Sequence, residues 1–135
     1  MSPFTIALAD DHPFLRAMLR TILSGSGDDI EVVADVGDGV ELLNLLASLP
    51  ILPDMVIIDL TMPRLTGPEL IRKVRRQFPK IKILTFTMHA EMEYASQAIV
   101  AGANGYLLKE EVPDELFAAI HAIRAGQIYK SLRLI

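Results

Sequence analysis

With 135 residues, 51% of them apolar, and a formal net charge of −4, the chain has the size and apolar content of one domain with a single core. It has no cysteine, which excludes disulfides, thiolate metal sites and cysteine nucleophiles and suits a reducing cytosol. No apolar run approaches about 20 residues, and the start, MSPFT, lacks the basic and apolar segments of a signal peptide, so a soluble, cytoplasmic protein without a membrane partner is expected.

The first strand-like stretch, TIALA, runs through DDHP into the helical pattern PFLRAMLRTIL, which Gly25 and Gly27 close. IEVVADV and GVELLNLLASL repeat the alternation. Pro50 and Pro53 interrupt the chain before DMVIIDL, whose near-continuous apolar run is the mark of a parallel strand buried on both faces. GPELIRKVRRQF follows, amphipathic at Leu70, Ile71, Val74 and Phe78. Its basic cluster, Arg72, Lys73, Arg75 and Arg76, reads as the solvated face of a helix; the other basic residues are dispersed, so the chain carries no nucleic-acid footprint of its own. KILTF and EMEYASQAIVA form the fourth unit, Gly102 and Gly105 bracket the turn into GYLL, and PDELFAAIHAIRA completes the fifth. Because each crossover is right-handed, five such units predict an α/β, doubly wound five-stranded parallel sheet of order 2-1-3-4-5, a flavodoxin-like fold. Ligands of such sheets bind beyond the carboxyl ends of the strands, near the gap between strands one and three.

Those carboxyl ends carry Asp10 and Asp11 after strand one, Asp59 at strand three, Thr87 at strand four and Lys109 at strand five. Two carboxylates about 4 Å apart repel by roughly 4 kcal/mol at an effective dielectric near 20, so something positive should compensate. Oxygen ligands favour a hard ion such as Mg²⁺. Asp59 could complete that site and act as a nucleophile, as carboxylates do in forming aspartyl phosphates. Phosphoryl transfer then asks mainly for charge stabilisation, with Lys109 and the Thr87 hydroxyl each meeting a phosphoryl oxygen.

The stretches ADDHPFLRAMLRTIL, PDMVIIDLTMPRLTGPELI, ILTFTMH and AGANGYLLK resemble the receiver domain of bacterial two-component response regulators over nearly the whole chain. DDHP, the Met-His after Thr87, and GANGYLLK are similar to the NarL/FixJ subgroup, usually joined to a LuxR-type helix-turn-helix. The resemblance implies Mg²⁺ on Asp10, Asp11, Asp59 and the backbone carbonyl of Thr61, and phosphate accepted on Asp59 from a sensor histidine kinase. It also implies a switch in which Thr87 shifts and makes room for Tyr106. By the same resemblance, residues 1–126 are the receiver and 127–135 begin a linker to a DNA-binding effector domain missing from these residues. DNA would be reached only through that domain, with a phosphorylation-dependent homodimer aligning two half-site readers. Kinase choice is expected to depend on Phe14, Leu15 and Met18.

Met88 is larger than the residue many receivers carry there and should narrow water access to an acyl phosphate, lengthening its lifetime; His89 and Thr61 flank the same pocket. Glu110 stands where many receivers have proline, so the Lys109 ammonium should be placed slightly differently. His12 borders the acidic pair, where a ligand or phosphate relay is the alternative to the favoured reading of a partly exposed loop residue, and His121 reads as an ordinary helix residue. The leading reading is a signalling module, not an enzyme acting on an external metabolite. The alternatives are a stand-alone or non-phosphorylated receiver scaffold, a flavodoxin-like cofactor binder, which needs a phosphate-cradling loop where DDHP offers negative charge, and a phosphohydrolase, whose nucleophile belongs on the first strand.

Overall fold

The structure is a computed structural model that describes residues 3–25, 27, 29–62, 65, 67–88, 92–111 and 114–131. His89, the helix starts expected at Glu91 and Pro113, and residues 132–135 of the expected linker lie outside them. The elements alternate as the sequence predicts: β1 (Phe4–Ala9), α1 (Pro13–Ser24), β2 (Ile30–Val36), α2 (Gly39–Ser48), β3 (Met55–Asp59), α3 (Gly67–Gln77), β4 (Lys82–Thr87), α4 (Met92–Ala101), β5 (Gly105–Leu108) and α5 (Leu116–Arg124). A short 3-10 helix spans Lys109–Glu111.

The sheet is parallel, and its order is β2-β1-β3-β4-β5 with a sixth strand, β6 (Tyr129–Lys130), added beside β5. Five strands were expected, so the sixth is a correction. Tyr129 N–H donates to the Asn104 carbonyl and Ser131 N–H to the Tyr106 carbonyl, which satisfies backbone groups of β5 that an edge strand would leave open. The Tyr129 hydroxyl donates to Glu115 Oε2 at 2.7 Å, and burial together with that carboxylate pushes its pKa up. Two residues are too few to show alternation in a sequence.

Period-two alternation divides the core. Ala7, Ala9, Val56, Ile58, Ile83, Tyr106 and Leu108 face α2, α3 and α4, while Ile6, Leu8, Ile57, Leu84, Phe86 and Leu107 face α1 and α5. β3 is buried along its whole length, in keeping with the unbroken apolar run of its sequence. Truncating Met55, Ile57 or Ile58 to alanine should cost about 2–5 kcal/mol.

Local chemistry sets the helix ends. Pro13 opens α1, and Asp38 caps α2 by accepting from Glu41 N–H. A Cβ at Gly39 would collide with the Leu65 carbonyl, so only glycine lets α2 start this close to the loop after β3. Arg75 departs from the solvated face expected of its cluster. It donates to the carbonyls of Pro79, Ile81 and Gly102 and to Asn104 Oδ1, tying α3 to the turn between α4 and β5. Gly102 makes that approach possible, with φ at +122° and the Arg75 side chain crowding the place a Cβ would take. Among the described residues no helix is long and apolar enough to cross a membrane.

Candidate functional site

The parallel register brings the strand ends level. Ala9 pairs with Ile58, Asp59 with Phe86, and Thr87 with Leu108, so Asp10, Asp59, Thr87 and Lys109 fall along one rim. Alternation then sorts them. Asp10 and Asp59 continue the α1/α5 side of β1 and β3, with Lys109 following Leu107 on that side, whereas Thr87 and Tyr106 belong to the α3/α4 side.

Asp10 and Asp59 are fully buried. Asp10 N–H donates to the Val36 carbonyl, and Arg16 donates to the Asp10 carbonyl at 3.0 Å. Arg16 is itself held by Asp35, 3.3 Å away. Asp10 Oδ1 accepts from His12 N–H at 2.7 Å, but Asp10 Oδ2 makes no hydrogen bond among the described residues. Burial raises the Asp10 pKa above the ordinary carboxylate value, the His12 N–H opposes that rise, and the nearby Asp59 charge adds to it.

Asp59 is gripped from two sides. Its Oδ1 accepts from Thr61 N–H at 2.9 Å and from the Thr61 hydroxyl at 2.7 Å; its Oδ2 accepts from Lys109 Nζ at 3.0 Å. Lys109 Nζ also stands 4.0 Å from Asp10 Oδ2 and 5.7 Å from the Phe86 ring centroid, within cation–π range. Buried Glu111 fixes the turn that delivers it, accepting from Leu108 N–H at 3.0 Å.

Thr87 and Tyr106 are buried. They line one cavity of about 140 Å³ together with Leu60, Thr61, Gly67, Pro68, Tyr94 and Gln97. On the acidic side, His12, Phe14, Leu15, Thr61, Met88 and Lys109 surround an open recess of about 470 Å³. Phe14 is 83% and Met88 72% exposed at its edge.

The fold thus gathers Asp10, Asp11, Asp59 and Lys109 into one cluster and sets Thr87 and Tyr106 on the adjoining face. One contact escaped the sequence reading, and a second was read only as adjacency. The Thr61 side chain, and not only its backbone, engages Asp59. The His12 ring, although 59% exposed, lies over the acids, with Nδ1 3.0 Å from Asp10 Oδ1 and 3.2 Å from Asp11 Oδ1. Adjacency in DDH was the available signal, since three consecutive residues after a strand end share one turn.

Residues 6–121 match the family model described as the response regulator receiver domain. The nitrate/nitrite response regulator protein NarL of Escherichia coli K12 is 36% identical over 129 residues, covering 96% of this chain and 58% of NarL. The chain therefore spans little more than half the length of that relative. A LuxR-family two-component response regulator from Aurantimonas sp. SI85-9A1 superposes with a TM-score of 0.89 at 38% identity, covering 98% of this chain and 93% of that one. The isolated receiver domain of RcsB from Salmonella enterica serovar Typhimurium, solved in the presence of phosphomimetic BeF3-, gives a TM-score of 0.88 at 27% identity, with 98% and 96% covered. An acidic rim on a parallel sheet, matched by one family model over most of its length, places this chain in the response regulator receiver domain family.

Proposed function

We propose that the chain is the phosphoacceptor module of a two-component response regulator, taking a phosphoryl group on Asp59 from a sensor histidine kinase. The observation that carries this reading is the Asp59 carboxylate itself, buried, held on one oxygen by two Thr61 donors and met on the other by the Lys109 ammonium. An Asp59 oxygen attacks phosphorus as the bond to the kinase imidazole breaks; the electron pair leaves with the imidazole nitrogen, and an acyl phosphate remains on Asp59. The product is the chain itself, so the chemistry is transfer to the protein and not turnover of a metabolite. Phe14 and Leu15, at the edge of the recess, are suited to meet an apolar kinase surface, with Met18 behind them on α1.

Asp10, Asp11, Asp59 and the Thr61 carbonyl would hold Mg²⁺. Three clustered carboxylates, with Asp10 Oδ2 buried and without a hydrogen bond among the described residues, fit a hard cation. When bound, the ion supplies positive charge toward the phosphoryl oxygens. Lys109 exchanges its hold on Asp59 for a phosphoryl oxygen, and the Thr87 hydroxyl donates to another. Phosphorylation adds about −1.5 to −2 charges. Because Thr87 and Tyr106 wall one cavity, drawing Thr87 toward the phosphate changes the space open to the Tyr106 ring. That face then controls a homodimer and a DNA-binding output domain following a linker at 127–135.

Acetyl phosphate with Mg²⁺ should add the mass of one phosphoryl group to the intact chain. Chelation of Mg²⁺ or Asp59→Asn should abolish the gain. An unchanged mass with a folded, magnesium-loaded chain, or full incorporation into Asp59→Asn, contradicts the reading.

A further inference from the structure

The proposed phosphotransfer makes no use of His12, whose ring lies among the residues it does use. His12 is the N-cap of α1, with extended backbone at φ −97° and ψ 102°. A cap side chain ordinarily turns over its own helix to accept a first-turn N–H. The His12 side chain makes no such bond and points its Nδ1 at the acids instead. Nδ1 lies 3.0 Å from Asp10 Oδ1, 3.2 Å from Asp11 Oδ1, 3.9 Å from Asp59 Oδ2 and 3.4 Å from Lys109 Nζ.

The shortest of these is a hydrogen bond between the ring nitrogen and Asp10, and the set as a whole also suits a shared cation. Around an octahedral ion with bonds of about 2.1 Å, neighbouring ligand atoms stand about 3.0 Å apart and opposite ones about 4.2 Å. The distances from His12 Nδ1 to the three carboxylates fall in that interval, and one donor atom from each of Asp10, Asp11, His12 and Asp59 lies within 4.8 Å of all the others, a cluster slightly wider than the one a bound ion would draw together. Acidity alone would not make this a nitrogen-containing site. The second observation is Asp10 Oδ2, on a fully buried side chain and without a hydrogen bond among the described residues.

We propose that His12 Nδ1 is a further protein ligand of the divalent-cation site and biases it toward Mn²⁺ and other first-row ions over Mg²⁺. The proposal rests on the metal site of the phosphoacceptor reading and deepens it. Mg²⁺ prefers oxygen and keeps several waters, whereas imidazole suits first-row transition ions. With Mg²⁺ the exposed His12 ring yields its place to water; with Mn²⁺ it stays. His12 is therefore a residue that sets ion preference, not one that touches the phosphoryl group.

The test loads the whole, unphosphorylated chain with Mn²⁺ and reads nitrogen coupling to the bound ion by electron spin-echo envelope modulation, alongside calorimetric titrations with Mn²⁺ and Mg²⁺. The wild type should show the ¹⁴N modulation of a coordinated imidazole. His12→Ala should lose it, while His89→Ala and His121→Ala keep it. The preference for Mn²⁺ over Mg²⁺ should narrow in His12→Ala by about tenfold, the scale on which even outer-shell partners of metal sites act. Mn²⁺ bound without nitrogen modulation, modulation that survives in His12→Ala, or an unchanged ion preference overturns the role of His12 and leaves the metal site standing. A chain that binds neither ion overturns both.

Discussion

The two ends of the sheet carry the same acidic residue type under opposite conditions. At the amino end Asp29 and Asp54, the aspartates there among the described residues, each have a partner of their own. Asp54 Oδ2 accepts from Thr5 N–H at 2.9 Å and from the Thr5 hydroxyl at 3.2 Å, and Asp29 takes two bonds from Arg124 at 3.0 and 3.1 Å. At the carboxyl end Asp10, Asp11 and Asp59 crowd together, and Lys109 alone among the lysines and arginines of the described residues lies within ion-pair distance of more than one of these acids. The amino end is finished as it stands, while the carboxyl end carries a charge imbalance that an incoming cation would relieve. One end ties loops down and the other gathers the side chains that the proposed phosphotransfer uses, at the edge where ligands of parallel sheets bind.

The largest effect should come from Asp59→Asn, which removes phosphoryl incorporation entirely by intact mass while Asp54→Asn leaves it untouched. Next is Asp10→Asn. It should abolish the Mg²⁺-dependent rise in melting temperature and, by removing a buried charge whose Oδ2 makes no hydrogen bond among the described residues, raise the melting temperature of the metal-free chain by a few degrees.

The two ends should also answer pH with opposite signs. Asp10 holds its proton more tightly in the fold than in the unfolded chain, so its contribution to metal-free stability falls as pH rises from the ordinary carboxylate range through its raised value. Asp29 is held below the ordinary range, first by its hydrogen bond from Arg124, so its contribution is present above that range and fades as pH falls through its lowered value. Denaturant titrations from acid to neutral pH should flatten at the neutral side in Asp10→Asn and at the acid side in Asp29→Asn; the same profile in both would erase the contrast.

Smaller still, Asp54→Ala should cost about 1 kcal/mol of stability with an unchanged phosphorylation rate. Smallest is Met88→Ala. Opening the edge of the recess to water should shorten the acyl-phosphate lifetime by about twofold, and an unaltered lifetime would remove Met88 from the account.

The carboxyl-end cluster was legible because it follows from topology. Once β1, β3, β4 and β5 are recognised as parallel neighbours, Asp10, Asp59, Thr87 and Lys109 must share a rim, whatever their side chains do. What stayed illegible depends on rotamers and short range. The Thr61 hydroxyl turns back onto Asp59, the His12 ring leans over the acids, and Arg75 leaves a basic helix face to bond carbonyls; none of these leaves a periodic trace. Strand β6 was missed for lack of length, and Tyr106 showed its place in the core only once alternation had been counted along β5.

The most direct test of the central claim, that the cation-compensated carboxyl end exists to phosphorylate Asp59, is to locate the modification chemically. After exposure to acetyl phosphate and Mg²⁺, borohydride reduction of the acyl phosphate followed by peptide mapping should mark Asp59 and no other aspartate, and only when Mg²⁺ is present. A mark on Asp10, Asp11 or Asp54, or an equal yield without the ion, would contradict it.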